Sequence, residues 1–271
     1  MPADVEVFGD LGKACAEWAP QYIVLAAETA AHYPLLEGLS KLGFAGTVLV
    51  EKPLFETRRP LPINNFRHCY VAYQLRFHPV IRKVRDLLGD RPIDAISAYV
   101  SQHLADWRPG RDWRATYSAQ ADGGGVIRDL SHELDYIMWM AGPWERVTAL
   151  IGGRGDLAID APADAALLFT TQRCPAVSVR LGYLDRPASR WLLAQSSGRT
   201  IAADLIASTV TVNGVAEFLP SDKDLPIREM HRAALTEDSG GQLCSADDGM
   251  NVCALIDAAA RAACDQRWVV A

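Results

Sequence analysis

The sequence predicts an α/β segment joined to an α+β domain: an incomplete doubly wound parallel sheet, then a large, mostly antiparallel sheet left open on one face. Three observations predict it. Residues 1–53 alternate short apolar runs with helix-period segments, the pattern of parallel strands and their crossover helices. From residue 93 onward, alternating or β-branched segments bounded by turns follow one another directly, as strands of an antiparallel sheet do. Between these textures stands Gly123-Gly124-Gly125, opening a predicted helix. It carries Asp129, His132 and Asp135 on one side, because positions three apart on a helix lie about 60° from one another. The division falls at residue 75, with 1–75 as the first domain and 76–271 as the second, the last helix free to pack back on the first.

Taken in order, residues 5–8 read as a short strand and 11–18 as a helix with Leu11, Ala14, Cys15 and Trp18 on its apolar face. Residues 22–27 are an apolar strand of the kind buried in parallel sheets, 31–42 a helix stopped by Gly43, and 47–50 the next strand. Thr29 and His32 stand at the strand-to-helix turn, where a capping threonine and a surface histidine are the plain structural alternative. Residues 54–68 read as a crossing loop, 69–73 as a strand, and 79–88 as a helix ended by Gly89. Strands are expected at 93–103, 146–152, 165–171, 176–183, 190–195, 199–203 and 209–212, with Gly198 and Asn213-Gly214 marking hairpin turns. Ile127, Leu130, Leu134, Ile137 and Met138 form the buried stripe of the glycine-led helix, and Tyr136 and Trp139 fall on its remaining face. A closing helix runs from 245 to 265, N-capped by Ser245 with Asp248 three residues on.

Composition narrows the function classes. Apolar residues at 49% and charged residues at 22% are those of an ordinary globular protein. A net charge of −6 leaves no basic footprint for nucleic acid, and no apolar run reaches the ~18 residues of a membrane span. The start Met1-Pro2-Ala3-Asp4 has no signal-peptide pattern. Cys15, Cys69, Cys174, Cys244, Cys253 and Cys264 are scattered without metal-ligand spacing, and read as reduced thiols of a cytoplasmic protein with no metal site.

A carboxylate and an imidazole on one helical face suit small-molecule chemistry and structural ion pairs about equally. A second stretch adds a lysine: the strand at 47–50 ends in Glu51-Lys52-Pro53, and ligands of open α/β sheets bind beyond the carboxyl ends of the strands. A third, Tyr73-Gln74-Leu75-Arg76-Phe77-His78-Pro79, lies between them. In this order the three resemble the Gfo/Idh/MocA family of nicotinamide-dependent oxidoreductases. The run from Asp106 to Arg114, with Trp107, Arg108, Arg111 and Trp113, followed by Tyr117-Ser118, is similar to a sugar-associated branch of that family. The resemblance spans residues 5–269.

The resemblance implies a Rossmann-like first domain and NAD or NADP as cofactor, met by Thr29, His32, Glu51, Lys52 and Pro53. It implies a sugar, sugar acid or nucleotide sugar as the small-molecule substrate. Lys52 would face the reacting hydroxyl, and His132 would be the acid/base, oriented or charge-tuned by Asp129. Trp107, Arg108, Arg114 and Tyr117 offer a stacking plane and a fork of donors, Arg76 a partner for Lys52 or a substrate oxygen, and Asp135 a further polar contact. The strands between 93 and 212 have too few other elements to cover both faces, so the open face is expected to join copies into a homo-oligomer.

The chain departs from the family in three ways. Asp129 and His132 are three residues apart where the family has four, and Gln74 stands where it often has Asn. Third, G-x-G-x-x-G occurs nowhere, so the glycine turn that seats a pyrophosphate on a helix N-terminus is expected to be missing. Two functions follow: an NAD(P)-dependent sugar oxidoreductase lacking its cofactor-binding glycine loop in this chain, or a catalytically silent sugar-binding or oligomer-forming remnant. Either way, this chain is expected to hold a nicotinamide cofactor weakly or not at all. A metal-dependent lyase fits less well, because Asp129 and His132 are only two ligands.

Overall fold

Two sheets, with helices between and around them, organise the chain. A computed structural model describes residues 5–107, 110–120, 124–153, 155–236 and 240–271. The smaller sheet opens with α1 (Leu11–Trp18), β1 (Tyr22–Leu25), α2 (Thr29–Lys41), β2 (Thr47–Val50) and β3 (His68–Val71). Its first three strands are parallel, with Tyr22 opposite Thr47 and Thr47 opposite His68. β2 lies in the middle and is buried throughout, as its unbroken Thr-Val-Leu-Val run requires. β1 sits at the edge of the sheet and is only partly buried, with Val24 40% exposed. Residues 5–8 form no strand. That segment leans on α1 instead, where Trp18 Nε1 donates to Glu6 and the Phe8 ring meets Trp18 edge-on. The apolar face of α1 is correspondingly not buried.

A 3₁₀ turn (Gln74–Phe77) leads into α3 (Pro79–Leu88), which ends at Gly89 as predicted. The second region runs through β4 (Ala95–Ser101), α4 (Val126–Asp129), α5 (His132–Ala141), β5 (Trp144–Gly152), β6 (Asp164–Thr171) and β7 (Cys174–Gly182). It continues with β8 (Ser189–Ser196), β9 (Arg199–Asp204), β10 (Thr209–Val212) and β11 (Val215–Phe218). The chain closes with α6 (Leu225–Thr236), β12 (Cys244–Ser245), α7 (Ala246–Asp265) and β13 (Val269–Val270). Nine strands form one sheet in the order β11-β10-β9-β8-β4-β7-β6-β5-β13, antiparallel at every pairing except β4 with β7. The α/β plus α+β class with a large, mostly antiparallel sheet is therefore the one the sequence predicts.

The register sorts the two faces. Leu192, Ala98, Val179, Leu167 and Ala149 form one row across five strands and are buried under the helices. The adjacent row, Trp191, Tyr99, Arg180, Ala166 and Leu150, points the other way, as the pleat dictates. Leu150 is 79% exposed there.

Residues 225–265 return to the smaller sheet. Met230, Ala233 and Ala234 of α6 pack on Leu49, Ala72 and Phe77, and β12 pairs with β3. Ser245 caps α7 with the expected reciprocal bond to Asp248. α6 is not among the expected elements; its buried side chains are two alanines, a proline and a methionine, too weak an apolar stripe to mark a helix.

The glycine-led helix is broken where one continuous helix was expected. Leu130 and Ser131 separate α4 from α5. The carbonyls of Arg128 and Asp129 take side-chain donors, Ser131 Oγ at 2.9 Å and Lys52 Nζ at 2.5 Å, in place of the amides that would continue the ladder. Asp129, His132 and Asp135 consequently face three different neighbourhoods. Tyr136, expected on the remaining face away from the buried stripe, is fully buried in the core.

Candidate active site

A cleft of about 860 Å³ opens between the two sheets. One wall is the carboxyl ends of β1 and β2 with the first residue of α2: Ala26, Ala27, Glu28, Thr29, Glu51 and Lys52. The other wall is the loop after β4, with Trp107, Arg111, Thr116, Tyr117 and Ser118, and Asp129 lies at the meeting of the two. The position follows from the sheet, whose parallel strands all point their C-terminal ends this way. Gly124 sets the approach of α4: a Cβ there would overlap the carbonyl oxygens of Tyr117 and Gln120. Gly124 thus lets the Tyr117 turn close against α4, which carries Asp129.

Lys52 follows the buried β2, and its ammonium donates to Asp129 O at 2.5 Å and Arg128 O at 3.5 Å. Burial lowers its pKa, opposed by the carboxylates of Asp129 and Glu51. The Asp129 carboxylate is almost fully buried and takes two hydroxyl protons, one from Tyr117 and one from Tyr183 at 2.5 Å. Tyr183 follows β7, is itself buried, and has its phenol pKa raised well above the usual value by burial and by Asp129. Sequence reasoning did not single it out; the only available signal was a tyrosine closing a strand.

His132 is placed differently from Asp129. It does not line the cleft. Its ring lies edge-on to Tyr73 at 5.5 Å, and its buried Nδ1 has no hydrogen-bond partner. Burial, with Lys52 and Arg190 nearby, holds its pKa well below the ordinary value. Asp129 spends its oxygens on the tyrosines instead of orienting this ring. Beside it, the buried Glu133 carboxylate is held by Arg190 at 2.7 and 2.9 Å, a pair the sequence did not reveal.

Other predicted site residues divide between the cleft and the packing around it. Thr29, Glu51, Trp107 and Tyr117 line the cleft with Lys52. Trp107 lies edge-on to Tyr183 at 5.3 Å. Pro53 is buried behind the wall, and so is His32, whose ring nitrogens face Leu54 O at 3.0 Å and Ala27 O at 3.1 Å. Arg76 and Asp135 are brought together away from the cleft. Arg76 Nη2 and Nε reach Asp135 at 2.6 and 2.9 Å, and Nη1 reaches Asp248 at 3.1 Å, tying the 3₁₀ turn to α5 and α7. Arg114 is exposed, paired with Asp112 and stacked on Trp113. Arg108 lies outside the described residues. No group of three or more His, Cys, Asp or Glu among the described residues is placed to hold a metal.

Residues 81–194 match the family model of the GFO/IDH/MocA C-terminal domain. No curated protein matches it in a sequence search. Among solved structures it is similar to an oxidoreductase from Thermotoga maritima, at 14% identity and TM-score 0.77 over 98% of this chain and 82% of that one. It is also similar to a levoglucosan dehydrogenase in complex with NADH and levoglucosan, at 14% identity and TM-score 0.79 over 97% and 83%. A third is the WlbA dehydrogenase of Bordetella pertussis in complex with NADH and UDP-GlcNAcA, at 16% identity and TM-score 0.75 over 97% and 83%. At these identities the likeness establishes the fold.

Proposed function

We propose that the protein is a nicotinamide-dependent oxidoreductase acting on a secondary hydroxyl of a sugar, sugar acid or nucleotide sugar. The observation that carries the reading is Lys52 at the carboxyl end of β2, its ammonium against Asp129 in a cleft between the sheets. The dehydrogenases of similar fold, solved with NADH and sugar-type ligands, support it.

The residues fit the nicotinamide end of such a cofactor. Ala26 and Ala27 add no bulk, and Thr29 opens a 13-residue helix whose cap residue, Glu28, makes no side-chain cap bond, so N–H groups at that terminus are left to a ligand. Thr29, Glu51 and Lys52 would hold that end, with His32 and Pro53 supporting the wall. When bound, the nicotinamide accepts the hydride. The chain's own groups handle the oxygen: Lys52 stabilises the negative charge that develops as the hydroxyl proton leaves, Asp129 is the base at the cleft floor, and His132 lies behind them. Trp107 provides an apolar face for a sugar ring, with its Nε1 committed to Gln102 O at 3.1 Å.

The test is a spectrophotometric screen of neutral sugars, sugar acids and nucleotide sugars with NAD⁺ and NADP⁺ at millimolar concentration. Reduced nicotinamide should form with at least one class and should vanish in Lys52→Ala. One observation favours a second reading, a silent sugar-binding or oligomer-forming module: the 271 residues contain no G-x-G-x-x-G. Losing charge-assisted pyrophosphate contacts at ~1.5–3 kcal/mol each carries a micromolar site to millimolar or weaker, at tenfold per about 1.4 kcal/mol. Calorimetric titration with both reduced cofactors measures this directly. A dissociation constant near ~10 μM would show that the cofactor is seated without a glycine turn. All six cysteines are free thiols, in keeping with a cytoplasmic setting.

A further inference from the structure

We infer that Tyr117 receives the substrate's hydroxyl proton, with Asp129 as the acceptor behind it and Tyr183 as the strut that aims Asp129. The inference rests on the oxidoreductase reading above and names the group that touches the substrate.

Three observations carry it. Asp129 lies at the floor of the cleft but is only 4% exposed, so its carboxylate meets a ligand chiefly through the donor that also lines the cleft. That group is Tyr117, which lines the cleft and donates its hydroxyl proton to Oδ1. A phenol oxygen whose proton is given to a carboxylate is itself an acceptor, and at the cleft wall it is placed to meet a second hydroxyl. Tyr183, buried against Trp107, donates to the other oxygen at 2.5 Å, so the carboxylate is fixed in one orientation. His132, the imidazole expected as the acid/base, does not line the cleft and lies edge-on to Tyr73, whereas Glu51 and Lys52 do line it and the buried Glu133 is neutralised by Arg190.

The step balances as follows. The substrate O–H bond breaks and a new O–H bond forms on the Tyr117 oxygen, while the proton Tyr117 held passes to Asp129 Oδ1. The electron pair left on the substrate oxygen forms the carbonyl as the carbinol carbon yields its hydride to the nicotinamide of the proposed reaction. The alcohol is oxidised, the nicotinamide is reduced, and one proton rests on Asp129. Lys52, with its ammonium on the Asp129 carbonyl, lines the same cleft and would supply the positive charge that stabilises the oxygen in passage.

The experiment compares the full chain with Tyr117→Phe and Tyr183→Phe, using the sugar found in the screen. Tyr117→Phe should lower kcat by about a hundred- to ten-thousand-fold, leave KM within about threefold, and abolish the acidic limb of the pH–rate profile. Tyr183→Phe should lower kcat less and shift that limb, because it aims the acceptor without touching substrate. A second measurement needs no cofactor. With aspartate labelled by ¹³C at the carboxyl, the Asp129 signal, assigned by its loss in Asp129→Asn, should move in both tyrosine variants. A working parent whose Tyr117→Phe variant keeps its kcat within about threefold, or an Asp129 signal unmoved in that variant, overturns the inference and leaves the proposed function standing. A parent that oxidises no sugar with either nicotinamide overturns both.

Discussion

Lys52 has its ammonium on two backbone carbonyls at the end of the fully buried β2, so its position is set by the sheet. Lys52→Ala should lower kcat by a hundredfold or more, the scale of a lost acid–base or oxyanion group, with the far-ultraviolet circular dichroism unchanged. Its charge gives a second, signed expectation. Burial lowers the pKa of Lys52, so the ammonium is lost at a lower pH than in an exposed lysine. Activity that needs the cation should therefore fall on the alkaline side as pH rises through that value. Arginine does not deprotonate in proteins, so in any Lys52→Arg variant with residual turnover this limb should move beyond the accessible range. A limb that stays in place in Lys52→Arg would assign it to another group. Lys52 was legible in the sequence because a strand end is a position that pattern alone can find. Tyr183 was not, because its closeness to Asp129 is set by strand pairing across residues 129–183, which no local pattern encodes.

At the scale of elements, what the sequence shows depends on whether a feature is local. α3, the hairpin turns and the capping box of α7 follow from adjacent residues and were predicted at or near their observed bounds. The break between α4 and α5 depends on Lys52, some 77 residues away, taking a helix carbonyl, and was not legible. The same distinction applies to Arg76, which was read as a site residue and lies in a buried pair with Asp135. Asp135→Ala leaves the buried Arg76 with only the half-exposed Asp248 as a carboxylate partner, and should destabilise the fold by about 3 kcal/mol in denaturant melts. Exposed Arg114→Ala should change stability by no more than about 0.5 kcal/mol. The start of α3 carries a pH-dependent term. His78 Nδ1 accepts the Val80 N–H at 3.2 Å, and burial, with Arg190 as the second cause, lowers its pKa to about 4. Unfolded histidine titrates near ~6.5, so between that pH and about 4 the unfolded chain binds the proton and the folded one does not. Stability should thus fall as pH drops through this window, by about 3 kcal/mol in total at 1.4 kcal/mol per pKa unit. His78→Asn, a cap that does not titrate, should remove that part of the acid dependence, and an unchanged melt-versus-pH curve would count against it.

For the whole molecule, the nine-stranded sheet is the element with the most apolar surface left open. One face is buried beneath α3, α5 and α7, as the row from Leu192 to Ala149 shows. The other presents Trp191 stacked on Tyr99, with Leu150 at 79% and Leu168 at 52% exposure. Exposed apolar area spread over several strands favours a partner of the same shape, because a two-fold axis lets one patch cover its own copy. A specific interface on this face should bury well over ~1,000 Å². Serines and an arginine interleave with the apolar side chains, Ser178 bonding Ser97 at 2.9 Å and Arg180 pairing with Asp164, which suits a surface that also meets water. Sedimentation at micromolar concentration should show a dimer or higher assembly. Leu150→Glu with Leu168→Glu should shift it to monomer, because each carboxylate would be buried without a partner across the interface. The same pair of substitutions should leave the monomer's melting temperature within a few degrees, since neither side chain contributes to the helix-covered core. A parent chain that sediments only as monomer would rule the interface out.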